Sequence, residues 1–244
     1  MHLELYNMRK ELAGILKQDP VLKSAVQDVG RADMIRASLI VRNSRHRDID
    51  VQSILDGELP KEVPVKDFVF IENFCNLIRI AVSSLEMGNV VDKYLLLSAY
   101  KTLSEDPDGY FRKNNPVIYS INHVPPHSFR IEELLDDVFR KVYSKESADN
   151  VTLKAMFIHN KIMDIYPFPA YNGEIAVYAM NYYLMENGLV PISMDMDQYD
   201  YFELVTDVLK GQRQEEMYNF VTKSVYDKMR STLQACRHYI NRGK

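Results

Sequence analysis

Cysteine occurs only twice in 244 residues, at Cys75 and Cys236, and both stand in apolar helical surroundings. Two isolated cysteines exclude a disulfide framework, and no CxxC pair offers a zinc spacing. No uncharged apolar run approaches the ~18 residues that a membrane span requires, so no membrane role is expected. The opening MHLELYNMRKEL is amphipathic and charged, unlike a signal peptide, and the expected compartment is the cytoplasm. Positive charge is also scarce: the net charge of -4 excludes the electrostatic footprint of a nucleic-acid binder. The one basic cluster, Arg42, Arg45, His46 and Arg47, reads as a solvated loop. A Gly-rich phosphate loop, a nucleophile elbow and a dinucleotide fingerprint are all missing.

What is present is helical periodicity. Hydrophobic residues make up 46% and charged residues 26%, an ordinary globular composition. Leu5, Met8, Leu12 and Ile15 recur at helical spacing, and Asp19-Pro20 ends that helix. A second helix is predicted over residues 21–41. Asp48 can cap a short helix carrying Ile54 and Leu55 that Gly57 ends. Further stripes run from Val69 to Val82, Tyr94 to Leu103, Ile131 to Val142 and Leu153 to Ile165, then from Gly173 to Glu186. A long stripe from about Gln212 carries Met217, Val221, Val225, Met229, Leu233, Cys236 and Ile240. Residues 106–126 break the pattern with prolines, and within them 116–121 are the best strand candidate. The expected organisation is a helical region over 1–65, a core over 66–225 and a C-terminal helix over 226–244 packed on it. Smaller clusters read as structural. His123 and His127 flank Val-Pro-Pro without a Cys or acidic partner, so no metal site is expected. His159 reads as a core histidine, and Asp195 and Asp197 as a solvated turn.

Residues 164–177, DIYPFPAYNGEIAV, run from a buried helix through a proline-rigid loop to Asn172 and Gly173 at the start of another helix. Free N–H groups and the positive end of the helix dipole make such a point an anion site. Asn is also a good N-cap and Glu a good early helical residue, which explains the same letters without any ligand. The stretch resembles the signature of the Fic family, His-Pro-Phe-x-Asp/Glu-Gly-Asn-Gly-Arg-x-x-Arg. Gly109-Tyr-Phe-Arg112 is similar to the family's Gly-x-x-Arg, residues 116–121 to its flap, and Val124-Pro-Pro126 to the proline pair after the flap. Ala155, His159, Ile162 and Ile165 resemble the helix leading into the signature, and Leu184, Gly188 and Pro191 the helix and turn after it. Upstream, residues 37–43 look like the family's inhibitory helix, with Val41 at the glutamate position, and residues 52–57 like the Ile-Leu-x-Gly that follows. The resemblance spans roughly residues 30 to 225. It implies a mostly α protein: a Fic-fold helical core with a small β-hairpin flap. It also implies transfer of AMP from ATP to a protein hydroxyl, with magnesium bound at the loop.

The departures fall on the chemistry. The histidine that serves as general base is Tyr166, whose phenol, with a pKa of about 10, is a poor base near pH 7. Ala170 stands for the metal-binding acid, Tyr171 for a glycine, Glu174 for the first arginine and Val177 for the second. Pro167, Phe168, Asn172 and Gly173 remain, the last three as anion or nucleotide-binding candidates. ATP and magnesium are implied by the resemblance only, and binding is expected to be weak because Glu174 repels phosphate. The leading expectation is a Fic-fold protein with a degenerate site that binds a protein partner, or a nucleotide without turnover. Val117, Ile118, Tyr119 and Ser120 of the flap are then the docking residues. The alternative is a divergent Fic enzyme that uses Tyr166 or Glu174 in a new role. A third reading is a structural subunit whose pocket is filled by Tyr166 and Tyr171.

Overall fold

The computed structural model describes residues 2–42, 58, 64–144 and 150–242. Nine α-helices stand among them. The first two are α1 (His2–Gln18) and α2 (Pro20–Val41). The junction is as the sequence dictates: Asp19 Oδ1 accepts from the amides of Val21 and Leu22, and Pro20 occupies the first turn of α2. Then come α3 (Val65–Glu86) and α4 (Lys93–Ser104), the latter capped by Asp92. The helices α5 (Ile131–Tyr143), α6 (Val151–Ile165) and α7 (Asn172–Glu186) follow the proline-rich stretch. The last two are α8 (Gln198–Leu209) and α9 (Gln214–Arg242). The predicted helix with Ile54 and Leu55, and the 52–57 motif, lie outside the described residues, as do Asn43, Arg45, His46 and Arg47.

The centre is α7. Every residue from Asn172 to Leu184 is buried, so no polar face is needed and none is present. It packs against α6 most extensively, and against α2, α3 and α4. Two buried polar side chains of this core are answered, Asn181 by both backbone groups of Ile192 and the Tyr182 hydroxyl by Asn89 O, whereas the buried Tyr178 hydroxyl has no partner among the described residues. The helix α9 runs unbroken through the expected boundary at 225/226, with Lys228 pairing to the buried Asp33 of α2. By length and composition α3 could cross a membrane, which the reading of uncharged runs did not register: its best 18-residue window has mean hydropathy 1.4 and is 39% buried. Its residues Phe70, Ile71, Phe74, Leu77, Ile78 and Ala81 belong to the core.

The expected β-hairpin flap is not there. Among the described residues no strand forms, and residues 116–126 hold a single antiparallel bridge between Ile118 and His123. Their amides and carbonyls exchange bonds of 2.8 and 3.1 Å, and Tyr119–Ile121 close the loop as a 3₁₀ turn. The reason is in the sequence. The next hydrogen-bonded pair of such a ladder is 116 with 125, both are proline, and neither has an N–H to donate. The loop is pinned instead by His123, whose Nε2 lies 2.7 Å from Asp164 O at the end of α6, and by contact with α8.

Candidate functional site

The loop between α6 and α7 turns twice through the left-handed region, at Tyr166 (φ 49°) and Tyr171 (φ 62°). Tyr166 ends α6 and Tyr171 precedes α7. From behind, the loop is held by Arg112. Its guanidinium is buried and donates to the carbonyls of Tyr166 (2.7 Å), Asn114 (2.6 Å), Ile165 (3.2 Å) and Pro126. Its amide donates to Pro167 O at 2.8 Å. Among the described residues no carboxylate pairs with it. The peptide oxygens of the loop satisfy its donors, and burial lowers its pKa from the ordinary arginine value.

Asn172 does the same from within. It is the first residue of α7 and not its cap, and its side chain turns back on the loop. Oδ1 accepts from Phe168 N at 2.8 Å and Nδ2 donates to Phe168 O at 2.8 Å. The Phe168 ring is buried, stacked on Tyr100 at 4.9 Å and tilted on Phe111 at 5.5 Å. Two of the three anion-binding candidates are therefore occupied: Phe168 has spent its amide on Asn172, and the Asn172 side chain on Phe168. The third, Gly173, is covered. A Cβ there would collide with Val41 Cγ1, so glycine is required by the approach of α2.

That contact places the C-terminal end of α2 over the N-terminus of α7. Gln198 of α8 helps hold it, donating to Val41 O at 3.4 Å. Arg42, expected in a solvated loop, is instead drawn into the site. Its guanidinium carbon lies 4.2 Å from the centre of the Phe70 ring and 5.9 Å from that of Tyr171. Its Nε is 3.4 Å from Asp67 Oδ1, and its Nη1 is 3.9 Å from Glu174 Oε1. Phe70 and Tyr171 stack at 6.2 Å with their planes 11° apart. The stacking offsets the cost of a left-handed tyrosine, on the order of 1–2 kcal/mol.

Glu174 is buried, and desolvation pushes its carboxyl above the usual range, while its own backbone N–H and Arg42 pull the other way. The carboxylate thus sits on the helix N-terminus and takes a bond that an incoming anion would use. Tyr166 is half-buried, and burial and then the Glu174 charge raise its phenol above the ordinary tyrosine value, which leaves still less phenolate near neutral pH to act as a base. Tyr201 is fully buried behind them, and its hydroxyl lies 2.9 Å from His159 Nε2. Burial pulls the His159 pKa down to about 4, as befits a core histidine. Ala170 is exposed and Val177 is buried within the core. On the flap loop, Val117 and Tyr119 are 50% and 88% exposed, Ser120 is exposed, and Ile118 is half-buried against the core. Among the described residues no group of three or more His, Cys, Asp or Glu could hold a metal ion. Sequence reasoning missed Arg42, Asp67 and Phe70 as site residues, since their meeting depends on how α2 and α3 pack.

Comparison with known proteins places this arrangement. Residues 90–184 match the model of the Fic/DOC family. A protein of Aquifex aeolicus (strain VF5), named a probable protein adenylyltransferase, is 30% identical over 107 residues, covering 43% of this chain and 33% of its own length. The chain thus spans about a third of that relative. A Fic domain containing signaling protein of Bacteroides thetaiotaomicron superposes with a TM-score of 0.79 at 12% identity, over 96% of this chain and 97% of its own. A fragment of Fic-1 from C. elegans gives 0.73 at 14% identity, over 97% and 72%. At such identities these likenesses show the fold, which is that of the Fic domain.

Proposed function

We propose, from the premise that residues 90–184 are a Fic/DOC segment, that this chain does not transfer AMP and acts by binding a protein partner at the flap loop. The observation that carries the reading is the Glu174–Arg42 pair at the start of α7, 3.9 Å apart beneath Val41. The protein's own carboxylate and cation stand where a phosphate and its counter-charge would be needed. At an effective dielectric near 20, a phosphate charge about 5 Å from Glu174 is repelled by roughly 3 kcal/mol. Loss of a general base typically costs about 10² to 10⁴ in rate, and one charge-stabilising donor about 10² to 10³. These losses are not additive, but two together suffice to take a modest transferase to background. Ala170 offers magnesium no oxygen. The flap loop, by contrast, presents Val117, Tyr119, Val124 and Phe129 to solvent, with exposures from 50% to 88%. Such a cluster is a docking surface for a partner's apolar side chains.

A second reading has its own support. Glu174, buried, and Tyr166, half-buried, are interacting groups with raised pKa values, a pattern found at catalytic sites, which fits a divergent Fic enzyme modifying protein hydroxyls. One experiment separates the two. The chain is incubated with a cell lysate, magnesium or manganese, and ATP labelled at the α-phosphate. Labelling at background in both the natural chain and Glu174→Gln is the expected result. Robust labelling that Glu174→Gln abolishes would overturn the proposal in favour of the enzyme.

A further inference from the structure

The helix α1 packs on both α2 and α9, but α2 and α9 barely touch one another. Two recesses open along the line between them, of about 330 and 520 Å³. They meet at Lys228 and Ser231, which line both. Together they form a trough that follows α9 from Phe220 to Cys236, about 24 Å of helix. Residues 192–195 face the first part of it, and α2 faces the rest. The two long walls differ. On α2, Val21 and Val29 are 63% and 50% exposed and Ala25 between them is exposed, an apolar stripe at four-residue spacing where a surface helix is ordinarily polar. On α9, Lys223 and Arg230 are exposed and form no ion pair among the described residues. Lys228 is already answered by the buried Asp33. Of the two carboxylates in the lining, Asp195 accepts from the Ser193 hydroxyl at 2.7 Å, and Asp227 stands on α9 between the two free cations. The wider field decides the sign. Residues 223–244 carry six Lys or Arg and one Asp in a chain whose net charge is -4.

The walls also select the backbone of an occupant. Both helices spend their N–H and C=O groups internally, and Ile192 gives both of its own to Asn181. An extended segment laid here would leave its peptide groups unpaired, whereas a helix arrives with them satisfied. We propose that the trough binds an acidic amphipathic helix of a partner protein. Its apolar face lies on the α2 stripe, and its carboxylates meet Lys223 and Arg230. The length of the trough takes roughly 16 residues, or about four turns. The flat surface of a bilayer does not reach the floor, where Leu22, Val190 and Cys236 are buried below the rim. The trough shares no residue with the flap loop or with the loop at 164–174, and the inference does not rest on the reading of either.

Fluorescence anisotropy tests it with a labelled helical peptide of about 16 residues, leucine on one face and alanine and glutamate on the other, titrated with the full chain. Saturable one-to-one binding is expected. The same peptide with lysine for glutamate should bind about tenfold more weakly or worse, and so should a version broken by two central prolines. Lys223→Glu combined with Arg230→Glu should weaken the acidic peptide by about tenfold and turn the preference toward the lysine peptide. Val29→Glu, on the exposed rim of α2, should weaken the acidic peptide to a similar degree. All three positions are exposed, so thermal midpoints by circular dichroism should stay unchanged. The proposal is overturned by absence of saturable binding at millimolar acidic peptide, or by equal binding of the lysine or proline versions. Binding indifferent to both sets of substitutions overturns it as well. Flotation of the chain with phosphatidylserine vesicles that Lys223→Glu with Arg230→Glu abolishes, without peptide binding, would assign the face to a membrane instead and overturn it too.

Discussion

The two faces of the loop between α6 and α7 are held by different means. At the rear, side chains bond to backbone: Arg112 to four carbonyls, and Asn172 to both peptide groups of Phe168. At the front, side chains meet side chains: Arg42 with Asp67, Glu174, Phe70 and Tyr171. Bonds to backbone are indifferent to which residues the loop carries. The loop can therefore keep its course while positions 166, 170, 171 and 174 change. The front contacts depend on each residue present. Shape and chemistry are thus separable here: the rear bonds set the course of the loop, and the front contacts depend on the side chains it carries.

The comparison can be broken hardest at the rear. Arg112→Met removes the donors of four carbonyls, of which those of Ile165 and Tyr166 lie in or beside the loop, and should cost about 4 kcal/mol in urea denaturation. A loss below about 1 kcal/mol would mean that the rear bonds do not hold the loop.

Acid should then separate the faces by sign. His159, behind the loop, has a folded pKa of about 4, below the ordinary histidine value of 6.5. Between these values the unfolded chain takes up a proton that the native chain refuses. Stability present above pH 6.5 is therefore lost as the pH falls, by roughly 3 kcal/mol at pH 4. Glu174, at the front, is shifted upward, so in the window above 4.5 the native chain holds the extra proton and gains stability on acidification. His159→Asn should flatten the acid loss, and Glu174→Gln should steepen it. Denaturation midpoints followed from pH 7 to pH 4 give both slopes.

The smallest effect is expected at Tyr171. Glycine there relieves the left-handed strain but forfeits the stack on Phe70, and these nearly cancel. Tyr171→Gly should change stability by less than about 0.5 kcal/mol. A loss above about 2 kcal/mol would show that the front face also carries the fold.

Much of the fold was legible because its helices announce both ends. Asp19-Pro20 capped and opened α2, and the stripe from Val69 to Val82 is the buried face of α3. The helix α8 was missed although Tyr201, Leu204, Val205 and Val208 carry the 3- and 4-residue spacing and Asp197 caps it. The Met-Asp-Met-Asp before it has the composition of a solvated turn, which masks the helix start at Gln198. The course of the loop through Asn172 and Gly173 to the start of α7 was legible, but the residues that pack against it were not. Arg42 looked like one of four solvated cations, and only packing shows that it lies on Phe70. The flap was misread for a local reason: the segment was judged by its β-branched residues, without pairing its prolines across the turn.

Those prolines also bear on how the chain behaves at high concentration. Val117, Tyr119 and Val124 are exposed, and Val117, Ile118 and Tyr119 form a short run of strand-favouring residues. Stretches of this kind, when flat and open, recruit copies of themselves into stacked sheets. Here Pro116 stands on one side of the single bridge and Pro125 and Pro126 on the other, so a neighbouring molecule finds no run of donors to extend. The loop can thus expose apolar side chains without seeding a fibril.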